Sequence, residues 1–182
     1  MKTLSQNRIL YLCLLLICGN IISGCAQKIP LDKPSTLNPA FDKKISSLIS
    51  FDISLISVAE LKKKKEKVVL LDAREFEEFQ VSHIEGAQYI GYQDFQEEAL
   101  KNIPKNSEIV LYCSIGYRSE KVGEKLEKLG YSKVYNLYGS IFEWVNQGNP
   151  VVDQNEKPTQ VVHGYNKSWS KWLDSNKVKK IW

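Results

Sequence analysis

The chain has 182 residues, 43% of them apolar and 25% charged, with ten glycines and six prolines, a composition that excludes collagen-like, low-complexity and wholly disordered classes. The length suits one domain of roughly 100–150 residues with extensions, large enough to hold a core without disulfides. The formal charge of +4 is spread along the chain and gives no support to nucleic-acid binding.

Lys2 and Arg8 precede an unbroken apolar run over 9–18. That run is shorter than the roughly 20 residues needed to span a bilayer and suits the h-region of a secretory signal. Small residues follow at Ser23 and Gly24, and then Cys25. The string Ile22-Ser23-Gly24-Cys25 resembles the lipobox of bacterial lipoproteins, which implies cleavage before Cys25 and a diacylglycerol on its thiol. The expected location is a bacterial cell envelope, lipid-anchored and facing the periplasm or the exterior; Ala26 leaves inner and outer membrane open. A plain secretory signal or an uncut anchor would make Cys25 incidental. Cleavage removes Lys2 and Arg8, taking the charge from +4 to +2, and discards Cys13 and Cys18. With Cys25 blocked by lipid, Cys113 is the one free thiol of an exported chain, where thiols ordinarily pair. It is therefore a candidate reactive group.

Residues 25–52 carry Pro30, Pro34 and Pro39 among Ser, Asn and Lys and read as the lipidated cysteine and a tether, although the apolar stretch 45–56 can already lead into the domain. From Ser57 short apolar runs alternate with helical patterns. Ser57 and Glu60 form a capping-box signature for a helix to about Lys65, whose lysine-rich end (Lys62 to Lys65, Lys67) reads as solvated, with anionic lipid headgroups as an alternative contact. A buried strand is expected at 68–71, a short helix at 75–79 and a small strand at 87–90. Asp94 is expected to cap the next helix, with Phe95 and Ala99 on one face. Residues 109–112 are a second buried strand. Val122, Leu126 and Leu129 repeat at helical spacing, and Gly130 closes that helix. Another strand is expected at 134–137, then a helix capped by Ser140 with Glu143 and stopping at Gly148. Trp144 reads as core. Trp169, Trp172 and Leu173, at i, i+3 and i+4, predict an amphipathic C-terminal helix docked on the domain within an extension at 153–182. The alternation implies an α/β domain with a mostly parallel central sheet and helices on both faces.

Cys113 follows the strand Glu-Ile-Val-Leu-Tyr and opens the string Cys113-Ser114-Ile115-Gly116-Tyr117-Arg118-Ser119. In a parallel sheet the carboxyl ends of the strands face the ligand crevice. A loop there can aim backbone N–H groups inward, the helix N-terminus adds partial positive charge, Gly116 permits the turn, and Arg118 adds a cation. Such surroundings lower a thiol pKa and produce a thiolate inside an anion cradle; an inert buried cysteine is the bland alternative. His83 and His163 are far apart in sequence, which argues against a metal site.

These residues resemble the CxxGxR active-site loop of single-domain rhodanese-like sulfurtransferases. The string VVLLDAREFEEFQVSHIEGAQYI resembles the family's N-terminal signature and VYNLYGSIFEWVNQGNPV its C-terminal one, with Gly139-Ser140 where the family usually has Gly-Gly, a departure expected not to touch the loop. The resemblance covers roughly residues 53–152. It implies sulfur transfer through a persulfide on the nucleophile Cys113, with Arg118 stabilising thiolate and anions. Ser114, Ile115, Gly116 and Tyr117 would bind substrate. Arg74 is either half of a structural ion pair with Asp72 or an anion-attracting group at the pocket rim, and His83 is expected to position the loop. The implied partners are a small-molecule sulfur donor and a thiol or cyanide acceptor; no cofactor is implied. Phosphatase or arsenate-reductase relatives place five residues between Cys and Arg, and this chain has four, which favours sulfur. A non-catalytic binding or sulfur-relay module remains the alternative. The uncharged Ser114 and Ile115 count against a strong thiosulfate preference.

Overall fold

The computed structural model describes residues 29–182. The expected signal, with Lys2, Arg8 and Cys25, lies outside the described residues. Among those described, no helix is long and apolar enough to cross a membrane.

Five parallel strands form the central sheet: β1 (Ser54–Ile56), β2 (Val69–Asp72), β3 (Gln88–Tyr89), β4 (Ile109–Tyr112) and β5 (Val134–Leu137), in the order β1-β5-β4-β2-β3. The helices are α1 (Pro39–Ser46), α2 (Val58–Lys64), α3 (Phe76–Val81), α4 (Tyr117–Lys128), α5 (Ser140–Asn146) and α6 (Lys167–Ser170). The inner strands are aliphatic because both their faces are covered. Leu70, Val110 and Tyr112 face a cluster with Phe41, Ile45, Leu61 and Phe142. Leu71, Ile109 and Leu111 face another with Ile53, Val122 and Leu126. Trp144 is buried, and its indole N–H donates to the Pro150 carbonyl at 2.8 Å.

The topology fixes where a site can lie. The chain leaves β2 outward to the edge strand β3, whereas from β4 it turns the other way to β5. Neighbouring strands whose connections depart in opposite directions open a crevice at their carboxyl ends. The loop beginning at Cys113 leaves β4 beside that crevice, and α3 follows β2.

Several local expectations change. The expected tether is already tied down at Lys33, which pairs with Asp42 and donates to the Tyr138 hydroxyl, and a helix starts at Asn38, whose Oδ1 accepts from the Ala40 and Phe41 N–H groups. Pro39 then takes the first helical position, where a missing N–H costs nothing. Phe41 and Ile45 of α1 are fully buried. The helix expected after Asp94 shrinks to a 3-10 turn at Glu97–Leu100, because the Gln96 side chain donates to the Asp94 carboxylate and carbonyl. Gly139, not Ser140, caps α5, and the Glu143 carboxylate accepts from the Leu37 N–H at 2.9 Å instead of closing a capping box. The expected C-terminal helix is a single turn, α6, that ends before Trp172 and is capped by Asn166. Strands β6 (Val151–Val152) and β7 (Pro158–Thr159) pair with each other, as do β8 (Val161–His163) and β9 (Lys179–Ile181). Trp172 nevertheless docks, stacking on Phe41 with ring centroids 5.3 Å apart. The lysine-rich end of α2 is partly tied down by ion pairs Lys64–Glu108 and Lys65–Glu85.

Candidate active site

Cys113 is held at the floor of a cleft of about 320 Å³. Its backbone is clamped from the start of α5. The Cys113 N–H donates to the Ser140 hydroxyl at 3.1 Å, the Cys113 carbonyl accepts from the Ile141 N–H at 3.2 Å, and the Ser114 carbonyl accepts from the Phe142 N–H at 3.3 Å. Ser140 therefore touches the loop, contrary to expectation. It holds a positive φ of 54°, the conformation a glycine adopts freely and other residues hold at a cost, and its hydroxyl gives a buried N–H its partner.

The chain then turns back on the sulfur. Gly116 has φ 122°, a conformation almost closed to other residues, and its N–H donates to Cys113 Sγ at 3.2 Å. The turn is locked from β5: Asn136 donates to the Gly116 carbonyl at 2.8 Å and accepts from the Ser119 hydroxyl at 2.7 Å. Helix α4 begins at once, adding its N-terminal dipole to the thiol's surroundings. Burial by itself pushes the Cys113 thiol up; the Arg118 charge, the Ser119 hydroxyl and N–H, and the Gly116 N–H outweigh it and bring the thiol below its usual value.

Arg118 does not stand alone. Its guanidinium makes a two-pronged contact with Glu78 of α3, Nη1 to Oε2 at 2.6 Å and Nη2 to Oε1 at 2.9 Å, and Nη2 also donates to the Ser114 hydroxyl. Ser114 in turn donates to Glu78 at 3.0 Å. Burial pushes the Glu78 carboxyl up, but the Arg118 hydrogen bonds and charge more than reverse this and hold it below the usual carboxylate range. Glu78 was only faintly legible in the sequence. It lies third in a run of acidic residues around two phenylalanines, and only its position at N3 of α3, where it also accepts from the Glu75 N–H, marked it out.

The other expected residues divide. Ser114, Ile115, Tyr117 and Arg118 line the cleft with Cys113, while Gly116 shapes the turn beneath it. Arg74 does not reach the rim. It is fully buried, donating to Asp72 through Nε and Nη2 and to the Ser82 carbonyl, because only Ala73 separates it from the buried Asp72 carboxylate. His83 does not position the loop. Its ring stacks on Phe79 at 4.0 Å, its nitrogens face the Phe79 carbonyl and Glu156, and its backbone pairs with Val152. The remaining walls come from Leu48, Glu75, Tyr92, Gln93, Tyr165 and Trp169. Leu48, Tyr165 and Trp169 belong to the flanking segments and carried no sequence signal for this role.

A thiolate-prone cysteine at a strand end, cradled by the loop it opens and by an arginine two residues into the following helix, defines the class of a single-thiol α/β site for anions or sulfur. A model of the family described as "Rhodanese-like domain" matches residues 57–147, and the chain belongs to that family. It is similar to MoeZ of Mycobacterium tuberculosis, named as an adenylyltransferase/sulfurtransferase, with 35% identity over 85 residues covering 46% of this chain and 22% of that protein. It is also similar to YrkF of Bacillus subtilis, named for a sulfur-carrier role, with 30% identity over 96 residues covering 53% of this chain and 51% of that one. The matches thus span about half or less of these relatives' own lengths. A rhodanese-like domain from Anabaena sp. superposes with TM-score 0.51 at 22% identity, covering 54% of this chain and 78% of that one, a likeness of fold.

Proposed function

We propose that the chain is a sulfurtransferase that carries sulfane sulfur as a persulfide on Cys113 and is held on a bacterial envelope membrane by a lipid on Cys25. The observation that carries this reading is Cys113 Sγ at the cleft floor, accepting the Gly116 N–H at 3.2 Å with a thiol pKa lowered by Arg118 and Ser119. Relatives named for sulfur transfer and sulfur carriage support it.

The Cys113 thiolate attacks the outer sulfur of a donor such as thiosulfate; the S–S bond of the donor breaks, sulfite leaves with the bonding pair, and Cys113 retains an S–S⁻ group. The groups that favour the thiolate favour this anion as well. An acceptor thiol or cyanide then attacks the outer sulfur and regenerates the thiolate, so one difficult transfer becomes two easier ones. A relay role differs only in using a protein thiol as acceptor.

The test treats the full chain in detergent micelles with thiosulfate or a polysulfide, removes the donor, and maps peptide masses. One added sulfur on the Cys113 peptide, removed by cyanide and absent from Cys113→Ser, is expected. A folded chain that takes up no sulfur from any donor shifts the reading to a binding module, and Cys113-dependent hydrolysis of an aryl phosphate shifts it to phosphatase chemistry. For the anchor, Cys25→Ser is expected to abolish acylation. An unaltered chain that carries no lipid and keeps its first residues overturns the envelope location.

A further inference from the structure

The walls above Cys113 are apolar and aromatic, formed by Leu48, Tyr92, Ile115, Tyr117, Tyr165 and Trp169. Arg118 is the only cation among the lining residues, and it is already engaged two-pronged by Glu78, with Glu75 a further 3.7 Å contact. A dianionic donor entering this cleft finds no uncompensated positive charge, while a donor with a single charge and an apolar group finds a wall to pack against.

That wall is held in place by the C-terminal segment. Tyr165 has φ 64°, an outlier for a bulky residue that persists only when its surroundings impose it. The Tyr165 N–H donates to His163 Nδ1 at 3.1 Å, the neighbouring Gly164 N–H donates to the Ile181 carbonyl at 2.8 Å, and the Tyr165 ring lies 5.1 Å from the Arg118 guanidinium, face to cation. The side chain is thus half-exposed at the cleft mouth on a strained but tethered backbone. Trp169 stands beside it on α6, its ring also covered by Lys44 at 5.4 Å.

We propose that Tyr165 and Trp169 select the sulfur donor, favouring an organic sulfane compound, an alkyl or aryl persulfide or thiosulfonate, over inorganic thiosulfate. The proposal rests on the sulfur-transfer reading and names its substrate class. With a persulfide R–S–S⁻, the Cys113 thiolate attacks the outer sulfur, the S–S bond breaks, R–S⁻ leaves with the electron pair and takes a proton from water, and Cys113 keeps the S–S⁻ group. With a thiosulfonate the leaving group is the sulfinate R–SO₂⁻. Neither step needs an oxidant or reductant. The apolar group R stays on the aromatic wall until the leaving group departs.

The experiment follows sulfur uptake at Cys113 of the full chain from three donors: benzenethiosulfonate, methanethiosulfonate and thiosulfate. Each rate is divided by that of the same donor with a small free thiol in solution, which removes the donor's own reactivity. The expected normalised rate with the phenyl donor is about 10- to 30-fold that with the methyl donor, from the extra apolar area buried, with thiosulfate slowest. Trp169→Ala is expected to bring the phenyl-to-methyl ratio close to one and Trp169→Phe to restore most of it. Because Trp169 also packs on the core, Tyr165→Leu, a change at an exposed side chain, provides a second variant and is expected to lower the ratio severalfold. A ratio near one in the unaltered chain, thiosulfate as the fastest donor, or a ratio unmoved by both Trp169→Ala and Tyr165→Leu overturns the proposal while leaving sulfur transfer standing. Failure of all three donors to load Cys113 overturns the sulfur-transfer reading itself.

Discussion

Two arginine–carboxylate pairs lie close together at the carboxyl ends of β2 and β4, and they have different fates. Arg74 and Asp72 are both without solvent exposure, and the guanidinium commits Nε and Nη2 to Asp72 and the Ser82 carbonyl. Arg118 retains 12% side-chain exposure, meets Glu78 edge-on, and keeps its charge directed at Cys113. The two pairs are similar in chemistry, and depth separates them. A pair sealed at the carboxyl end of β2 braces the connection from β2 to α3, while the pair beside the cleft keeps a guanidinium near enough to Cys113 to lower its thiol pKa. A buried pair of this kind is weak evidence for stability as such, yet losing one partner is costly, because the other is left charged and desolvated.

The sharpest way to break the comparison is to remove each arginine in turn. Arg74→Met leaves the Asp72 carboxylate buried without its cation and is expected to destabilise the chain by about 3–5 kcal/mol, read from urea unfolding. Folded Arg74→Met protein at low temperature should alkylate at Cys113 with an unshifted pH profile. Arg118→Ala is expected to raise the Cys113 pKa, moving the alkylation profile to higher pH, with a smaller effect on stability. If Arg74→Met displaces the thiol profile as far as Arg118→Ala, the division of labour is wrong.

Glu78→Gln refines the same contrast. Removing the carboxylate frees the Arg118 charge, so alkylation of Cys113 should shift to lower pH, opposite in direction to Arg118→Ala. The stability effect has its own sign. Glu78 is held below the ordinary carboxyl value in the folded chain. Its contribution is therefore complete above about pH 4.3, the value for an unfolded glutamate, and is lost as pH falls through the depressed folded value. Acid unfolding curves of Glu78→Gln should accordingly be flatter in that window than those of the unaltered chain.

Ser140 carries a third, smaller test. Ser140→Ala keeps the positive φ but removes the acceptor for the Cys113 N–H, an expected loss of about 1–3 kcal/mol. Ser140→Gly loses the same bond but relieves a left-handed strain of roughly 1–2 kcal/mol, so thermal unfolding should rank it between Ser140→Ala and the unaltered chain. At the bottom of the scale, Glu85→Gln breaks the ion pair with Lys65, in which Glu85 is 67% exposed. It should change stability by less than about 0.5 kcal/mol, as exposed pairs do.

The sequence by itself determined four of the five strands of the sheet, β1 being the exception, and the loop that carries Cys113. Strands β4 and β5 were legible to the residue because aliphatic runs buried on both faces carry a local signature, and Cys113, Gly116 and Arg118 declare themselves by their spacing along one continuous loop. Helix α4 was equally readable, since Val122 and Leu126 repeat with its own period. What the tertiary structure alone decided is which charges face the cysteine and what roofs it. Arg74 and Arg118 are indistinguishable as residue types, and only the depth of the β2 end buries one and spares the other. Glu78 reaches the loop across 40 positions of sequence, and Tyr165 and Trp169 reach the cleft because β8 and β9 pair and turn the C-terminal segment back over it. Helical spacing of Trp169, Trp172 and Leu173 foretold docking but not its form. A one-turn helix and a long one share that spacing, and only the partners available, Phe41 for Trp172 and the cleft mouth for Trp169, choose between them.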